Sequence, residues 1–213
     1  VRGVETGAIR AMANLGYADK NRKTYFEQYN YAISQATEPG STFKLATMMA
    51  LLEDNKVSLD SEIDIEKGEK SFADGEVTVK DSNPLSRRWN KISVRQAFEQ
   101  SSNVAMAKLA DSLYRAGEFS ARLQSFHLNE KTGLELEGEA QPMVNDTSSS
   151  TWSGISNAWL SFGYESRMTP LQMLTFFNAV ANGGKMMKPF LVDEVCREGR
   201  TEKKYKPTVL DQQ

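Results

Sequence analysis

A serine and a lysine three residues apart are the first candidates for chemistry in this sequence. Ser41 and Lys44 stand in the stretch Glu38-Pro39-Gly40-Ser41-Thr42-Phe43-Lys44. Positions i and i+3 share one face of a helix, so the hydroxyl of Ser41 and the amine of Lys44 can touch. A serine nucleophile needs a base beside it, and a lysine can serve once burial lowers its pKa. The pair could therefore act as nucleophile and base.

The same two residues also have a purely structural interpretation. Ser41 could only cap a helix, and Lys44 could extend its amine to solvent. A Ser-x-x-Lys pattern is expected about once by chance in a chain of this length. The pattern occurs once here, so the rest of the chain has to decide between the two interpretations.

The scarcity of histidine and cysteine narrows the choice of base. The 213 residues contain one histidine, His127, and one cysteine, Cys196. This is too few for a zinc cluster, and no metal or cofactor is expected. The same count disfavours a Cys-His pair or a Ser-His-Asp triad, unless His127 reaches a nucleophile. Lysine is therefore the leading candidate for the base, and a lone cysteine excludes an internal disulfide.

Composition excludes some classes of function. The net charge is −2 with acidic and basic residues interspersed, and the lack of a basic stripe argues against nucleic-acid binding. No apolar run is long enough to span a membrane. The length suits one domain or a large part of one. The sequence opens without a signal peptide, so we expect either a cytoplasmic protein or a piece of a longer one.

A buried helix must position Ser41 and Lys44. Pro39-Gly40 predicts a turn, and Ser41 occupies the place of a helix N-cap. Residues 43–52 are apolar almost all the way round, which is typical of a helix buried on most faces. This helix is predicted to end near Asn55.

A second polar group is predicted between two further helices. Ser93-Val94-Arg95-Gln96 predicts a capping box that begins a short helix through Phe98. The helical pattern breaks at Ser101-Ser102-Asn103 and resumes at residues 104–110. Polar residues between two apolar helical runs are the second candidate for function.

The remaining segments predict a mixed architecture. The expected elements are a hairpin over residues 1–14, a Tyr-rich surface loop over 17–37, an irregular stretch with short strands over 57–90, a small helix carrying His127 over 119–128, a loop over 129–142, a helix over 171–180 capped by Thr169-Pro170, a strand over 190–195 and a charged tail. Strands at both ends of a helical middle predict an α+β fold.

These motifs together resemble one family. Ser-x-x-Lys on a buried helix, followed by Ser-x-Asn between two helices, matches two of the three signature motifs of penicillin-recognising serine enzymes. Residues 38–44, residues 98–104 and the run from Ser161-Phe162-Gly163-Tyr164 through Thr169-Pro170-Leu171-Gln172 to Asn182-Gly183-Gly184 extend the match. The chain resembles the class B penicillin-binding proteins, the monofunctional peptidoglycan transpeptidases, and most of all division-specific members from Bacteroidetes-type bacteria. The resemblance covers residues 6 to about 195.

The resemblance implies a fold and a role for each motif residue. The fold is that of penicillin-binding transpeptidases and serine β-lactamases, with residues 1–213 forming a partial transpeptidase domain: a helical subdomain plus part of an antiparallel sheet. Ser41 would be acylated by a D-Ala-D-Ala stem peptide or a β-lactam, and Lys44 would take its proton. Ser101 would relay a proton to the leaving D-alanine nitrogen, and Asn103 would bind Lys44 and the substrate amide. The Ser41 backbone N–H would be one oxyanion donor.

The letters Lys131-Thr132-Gly133 spell the third motif of the family, but we interpret them as a coincidence. They follow the Ser-x-Asn helix too closely, in a stretch where the family has a Gly-(Ile/Leu)-(Asp/Glu)-Leu-x-Gly-Glu loop. The true triad is expected beyond Asn182-Gly183-Gly184, and none occurs there before Gln213. We therefore expect residues 1–213 to lack the triad strand, its neighbouring strands and the C-terminal helix, and to be acylated poorly or not at all.

The resemblance also implies partners and a location. The substrates would be peptidoglycan stem peptides and β-lactams, and the partners a glycan synthase and other divisome proteins. The protein would sit at the inner membrane with its catalytic domain on the periplasmic side, anchored by a segment outside this chain. Two alternatives stay open: a serine β-lactamase, for which the sequence shows no clear deacylation carboxylate, and a non-catalytic divisome scaffold.

Overall fold

The computed structural model describes residues 1–19, 21, 23–27 and 29–212. In chain order the helices and strands are β1 (Leu15–Asp19), β2 (Thr24–Glu27), α1 (Tyr31–Ser34), α2 (Lys44–Glu53), β3 (Glu62–Asp64), β4 (Glu69–Phe72), β5 (Val77–Lys80), β6 (Lys91–Ser93), α3 (Val94–Glu99), α4 (Asn103–Leu113), α5 (Glu118–Gln124), β7 (Met143–Val144), α6 (Ser156–Leu160), β8 (Ser166–Arg167), α7 (Pro170–Ala181), β9 (Lys185–Met187), β10 (Glu194–Arg197), β11 (Arg200–Lys204) and β12 (Val209–Gln212).

The chain divides into two compact units. The sheet unit comprises Val1–Thr37, Glu130–Pro142 and Met168–Gln213, and the helical unit comprises Glu38–Asn129 and Met143–Arg167. Antiparallel strand pairs occur in both: β1–β2, β9–β12 and β10–β11 in the sheet unit, and β3–β6, β4–β5 and β7–β8 in the helical unit. Helices combined with antiparallel pairs confirm the predicted α+β class.

The helical unit is built around α2 and α4. α2 packs against α4 and α5, and α4 packs against α6. Because α2 is apolar on nearly every face, it can be covered by several helices at once. The side chains that fill this core are almost completely buried and include Phe43, Leu51, Met106, Leu123 and Leu160.

Capping side chains begin both α3 and α4, and the cap of α3 is the one that the sequence predicts. The hydroxyl of Ser93 accepts the Gln96 N–H at 3.1 Å, and the Gln96 side chain accepts the Ser93 N–H at 3.0 Å. Ser102 caps α4 by accepting the Ala105 N–H at 3.0 Å. Between the two helices Ser101 has a left-handed backbone with φ of 54°. The predicted break at residues 101–103 is confirmed.

In the sheet unit, α7 packs on the core. Thr169 and Gln172 form a capping box at its start, with Pro170 as the first helical residue. Leu171 on this helix packs with Ile33 and Leu134. The predicted helix and its N-cap are therefore confirmed.

Two predicted segments near the start of the chain differ from the structure. The Tyr-rich stretch 17–37 forms β1, β2 and α1 rather than a loop; its residues 20, 22 and 28 lie outside the described residues. Tyr17 and Tyr25 face each other across the two strands with ring centroids 4.6 Å apart, a cross-strand aromatic pair that favours a hairpin. The predicted hairpin over residues 1–14 is reduced to a bridge between Arg2 and Ile9.

The predicted strand 190–195 and charged tail also differ. Phe190 makes only an isolated bridge with Ala8, and the next strand is β10, which begins at Glu194. The charged residues after it form the exposed β10–β11 hairpin, because backbone pairing does not require an apolar face. Within the described ranges, no helix is both long and apolar enough to cross a bilayer.

Candidate active site

Ser41 lies in a 3₁₀ turn, Gly40–Phe43, that runs directly into α2. No side-chain cap hydrogen bond begins this turn, whose N-cap position is Pro39. The predicted N-cap role of Ser41 is therefore wrong, because the 3₁₀ turn already supplies the first helical turn. Ser41 is exposed, whereas Lys44 is only 2% exposed. The hydroxyl thus faces solvent while the neighbouring amine is covered.

Four oxygen atoms surround the amine of Lys44. Its Nζ lies 3.1 Å from Ser41 Oγ, 3.0 Å from Ser101 Oγ, 2.6 Å from the Ser101 carbonyl oxygen and 2.6 Å from Asn103 Oδ1. A protonated lysine has three N–H donors, so it cannot serve all four oxygens at once. A neutral amine has a lone pair that can accept the proton of a hydroxyl. The structure therefore brings the four predicted site residues together: Ser41, Ser101 and Asn103 all contact the amine of Lys44.

Burial changes the protonation of Lys44. Desolvation lowers the pKa of Lys44 to about 8, against a smaller opposing effect of the Asp81 charge, which raises the pKa. A lysine with that pKa is neutral in roughly a tenth of molecules at pH 7, far more than an ordinary lysine. An amine with a pKa close to the working pH is suited to act as a general base.

The end of β5 orients Asn103. The Asn103 side-chain Nδ2 donates to the Lys80 carbonyl at 2.9 Å, and this bond turns Oδ1 toward Lys44. Sequence reasoning missed this support, because a strand that ends at Lys80 and is followed by Asp81 carries no pattern that marks it as part of a site. The short strands predicted within residues 57–90 were its only signal.

A second loop packs against the Ser41 turn. The Gly40 N–H donates to the Gly163 carbonyl at 3.3 Å, and the hydroxyl of Thr47 on α2 donates to the Ser161 carbonyl at 2.7 Å. Gly163 has φ of 90°, and a Cβ added there would lie 2.2 Å from the Gly40 carbonyl oxygen. The close approach therefore requires glycine at this position.

Three aromatic residues lie close to Gly163 in the chain. Trp159, Phe162 and Tyr164 contact one another, with ring centroids 5.3 to 5.4 Å apart. Phe162 is buried, and Tyr164 remains 45% exposed. The mutual contacts of these rings stabilise the loop that supports the Ser41 turn.

Lys131-Thr132-Gly133 lies in the sheet unit, in a loop without regular secondary structure. The N–H groups of Thr132 and Gly133 donate to the carboxylate of Glu139 at 2.8 and 3.2 Å. Glu139 is buried and also accepts a hydrogen bond from Gln172 on α7 at 3.4 Å. The predicted loop over residues 129–142 is confirmed, and these contacts account for its shape.

His127 lies in the turn after α5, which ends at Gln124. It has a left-handed backbone with φ of 59°, so the helix predicted over residues 119–128 stops short of it. Among the residues that the structure describes, no group of three or more histidine, cysteine, aspartate or glutamate side chains is placed to hold a metal ion.

Comparisons with known proteins place the chain among transpeptidase sequences. The family model of the penicillin binding protein transpeptidase domain matches residues 3–213. Penicillin-binding protein PbpB of Mycobacterium tuberculosis is 30% identical over 202 residues, covering 90% of this chain and 28% of the relative. The probable peptidoglycan D,D-transpeptidase FtsI of Caulobacter vibrioides is 29% identical over 191 residues, covering 87% of this chain and 30% of the relative. The chain thus spans about a third of the length of the curated relatives it matches.

Solved structures show the same fold. The TP domain of penicillin-binding protein 3 from Burkholderia pseudomallei aligns with a TM-score of 0.71 and 16% identity, covering 98% of this chain and 54% of that one. A peptidoglycan glycosyltransferase from Burkholderia ambifaria aligns with a TM-score of 0.70 and 21% identity, covering 87% of this chain and 54% of that one. The predicted fold is confirmed.

Proposed function

Because this chain belongs to the penicillin binding protein transpeptidase domain family, we propose that Ser41 is the nucleophile of a serine DD-transpeptidase that cross-links peptidoglycan stem peptides. One observation carries the proposal. The buried Lys44 amine lies 3.1 Å from the exposed Ser41 hydroxyl and also contacts Ser101 and Asn103. This arrangement supports the proposal because it provides a candidate nucleophile, a desolvated base beside it and a second hydroxyl in contact with that base.

In the proposed acylation, Ser41 Oγ forms a bond to the carbonyl carbon of the penultimate D-alanine of a stem peptide. The Ser41 proton moves to the neutral amine of Lys44. The peptide C–N bond then breaks, and the terminal D-alanine leaves once its nitrogen gains a proton. Ser101 Oγ, 3.0 Å from Lys44 Nζ, is placed to pass that proton from the lysine to the leaving nitrogen.

The start of α2 would stabilise the negative charge that develops on the carbonyl oxygen. The Ser41 N–H lies in the first turn of the helical segment, where backbone donors have no partner within the helix. The dipole of α2, which is 10 residues long, favours a negative charge at the same end. A donor fixed before the reaction costs no reorganisation when the charge appears.

In the second half of the reaction, the amine of another stem peptide would attack the ester carbonyl. A C–N bond forms, the Ser41 ester bond breaks, and the proton lost by the amine returns to Ser41 through Lys44. A β-lactam would acylate Ser41 in the same way. Its leaving nitrogen stays tethered to the acyl group, so we propose that this adduct persists.

We further propose the partners and location that such an enzyme requires. The substrates are stem peptides ending in D-Ala-D-Ala, and a glycan synthase supplies the strands that carry them within the divisome. The catalytic domain acts on the periplasmic side of the inner membrane. The support for these proposals is the similarity to relatives named peptidoglycan D,D-transpeptidase FtsI.

Labelling with a fluorescent penicillin tests the function. The full-length gene product should be used, because the chain spans about a third of the length of its relatives. We expect covalent labelling that disappears in Ser41→Ala and persists in the control Ser58→Ala, which alters an exposed serine of the same unit. Labelling that survives in Ser41→Ala would show that another residue is the nucleophile. Rapid repeated turnover of a chromogenic cephalosporin would instead indicate a β-lactamase.

A further inference from the structure

The carboxylate of Asp81, which directly follows β5, lies against the first turn of α4. Ser102 Oγ donates to it, with distances of 3.1 Å to Oδ1 and 2.9 Å to Oδ2, and the Val104 N–H donates to Oδ1 at 2.9 Å. The hydroxyl of Ser102 accepts the Ala105 N–H at 3.0 Å. α4 is therefore capped twice, by a serine of its own and by a carboxylate from a different element, which also complements the helix dipole.

Lys80, the residue before Asp81, contacts the start of α4 at Asn103. The Lys80 carbonyl accepts a hydrogen bond from the Asn103 amide at 2.9 Å. Between these contacts, Ser101 has a left-handed backbone with φ of 54°. A residue other than glycine in this conformation costs roughly 1–2 kcal/mol and persists only where its surroundings hold it. The end of β5 supplies those surroundings.

Resting on the function proposed above, we propose that Asp81 is a positioning residue of the site. It acts through Ser102 and the first turn of α4, and so keeps Ser101 and Asn103 at hydrogen-bond distance from Lys44. Within the part of the chain that the structure describes, the Asp81 carboxylate accepts its hydrogen bonds from Ser102 and Val104, and not from Ser41 or the Lys44 amine. The Asp81 side chain is half-buried, and its hydrogen-bond partner Ser102 is only 2% exposed.

The charge of Asp81 also acts on Lys44. Asn103, the first residue of α4, and Ser101, two positions before the helix, contact the amine and are both uncharged. On the β5 side the Lys80 ammonium is paired with Glu69 at 3.0 Å and both side chains are mainly exposed, so water screens them. The Asp81 charge raises the pKa of Lys44 and thereby opposes part of the effect of burial. Removing the charge should lower that pKa further.

Three variants of the full-length gene product separate positioning from simple helix capping. Asp81→Asn keeps the shape and removes the charge. Ser102→Ala removes the hydroxyl that links Asp81 to α4 and keeps the charge. Ser93→Ala removes the cap of α3 in the same unit without touching the site. Urea unfolding confirms that each variant is folded and measures the stability that each has lost.

Two measurements follow the site in each variant. One is the acylation rate with a penicillin across pH. The other is carbamylation of Lys44 by cyanate across pH, read by peptide mass spectrometry and normalised to exposed Lys91; it reports the neutral amine without any acylation. A misplacement of about 1 Å can cost roughly a hundredfold in rate, so we expect losses approaching that size in Asp81→Asn and Ser102→Ala.

The pH profiles distinguish a positioning role of Asp81 from a purely structural one. We expect both profiles of Asp81→Asn to move to lower pH, those of Ser102→Ala to stay in place, and Ser93→Ala to match the wild type in rate and profile. An Asp81→Asn variant with unchanged rate and profiles would overturn the proposal. An Asp81→Asn variant whose acylation rate falls no further than that of Ser93→Ala, and whose profiles do not shift, would also overturn it by showing a structural role only. If the wild type is not acylated, the proposed function fails, whereas the cyanate profiles still support or refute the action of Asp81 on Lys44.

Discussion

Gly163 offers a way to move the Ser41 turn without changing any residue that contacts Lys44. Its φ of 90° is left-handed, and an added Cβ would lie 2.2 Å from the Gly40 carbonyl oxygen and 2.7 Å from the Gly40 nitrogen. Real Cβ contacts below 3.0 Å are essentially never seen. In Gly163→Ala, the Gly40 backbone must therefore retreat by roughly 1 Å, and Ser41 follows Gly40 directly in the chain.

The size of the effect follows from this displacement. A shift of about 1 Å in a reacting group can cost roughly a hundredfold in rate, so we expect the acylation rate of Gly163→Ala to fall by about that factor. The left-handed backbone adds a cost of roughly 1–2 kcal/mol in stability, and overpacking adds about 1–3 kcal/mol.

Gly75→Ala is the matched control. Gly75 also has a left-handed backbone, with φ of 96°, and nothing lies within 4 Å of an added Cβ. Gly75→Ala therefore has the energetic cost of a left-handed alanine but no steric clash at its Cβ. Both variants should be compared by stopped-flow acylation with a fluorescent penicillin and by urea unfolding. If Gly163→Ala is acylated as fast as Gly75→Ala, the loop at residues 161–164 does not position the nucleophile.

Three further predictions concern Lys131, Glu139 and Lys44. Lys131→Ala should leave the acylation rate within about twofold of wild type, because this exposed residue is outside the proposed site. A large fall in that rate would show that Lys131-Thr132-Gly133 is the functional triad. Glu139→Ala should lower the free energy of unfolding by about 3 kcal/mol, measured with urea, because two backbone N–H groups lose a charged acceptor, and an unchanged midpoint would contradict this. Burial lowers the pKa of Lys44 from 10.5 to about 8, so the unfolded chain binds the lysine proton more tightly than the folded protein does. The free energy of unfolding should therefore rise with pH between about 8 and 10.5. Lys44→Met should remove that rise; equal pH dependence in both proteins would mean that the lysine is not desolvated.

The sequence was sufficient where one local signal determined the structure. The capping box at Ser93, the N-cap at Thr169 and the break at residues 101–103 were predicted from neighbouring residues, because a cap is made within one helical turn. The apolar pattern of α2 likewise predicted a buried helix. In the same way, Ser41 and Lys44 could be paired from their spacing alone.

The sequence failed where distant residues decide the structure. Asp81 and Gly163 reach the site through contacts 21 or more positions away in the chain, and no local pattern encodes such contacts. The Tyr-rich segment was predicted as a loop because its many polar residues do not show the alternation of apolar and polar residues that marks a strand. The pairing of Tyr17 with Tyr25 across β1 and β2 is seen only in the structure. Ser41 was expected to cap α2 because a 3₁₀ turn at the start of a helix has no sequence signal distinct from that of a cap.

The pH dependence of acylation tests most directly whether Lys44 is the base that activates Ser41. The second-order rate constant for a penicillin should be measured on the full-length gene product from acidic to alkaline pH. With the pKa of Lys44 lowered to about 8 by burial, the rate should rise with pH as the amine loses its proton and reach half its maximum near pH 8. A rate constant that is independent of pH across this range, or one that keeps rising toward the ordinary pKa of lysine at 10.5, would contradict the assignment of a desolvated lysine base.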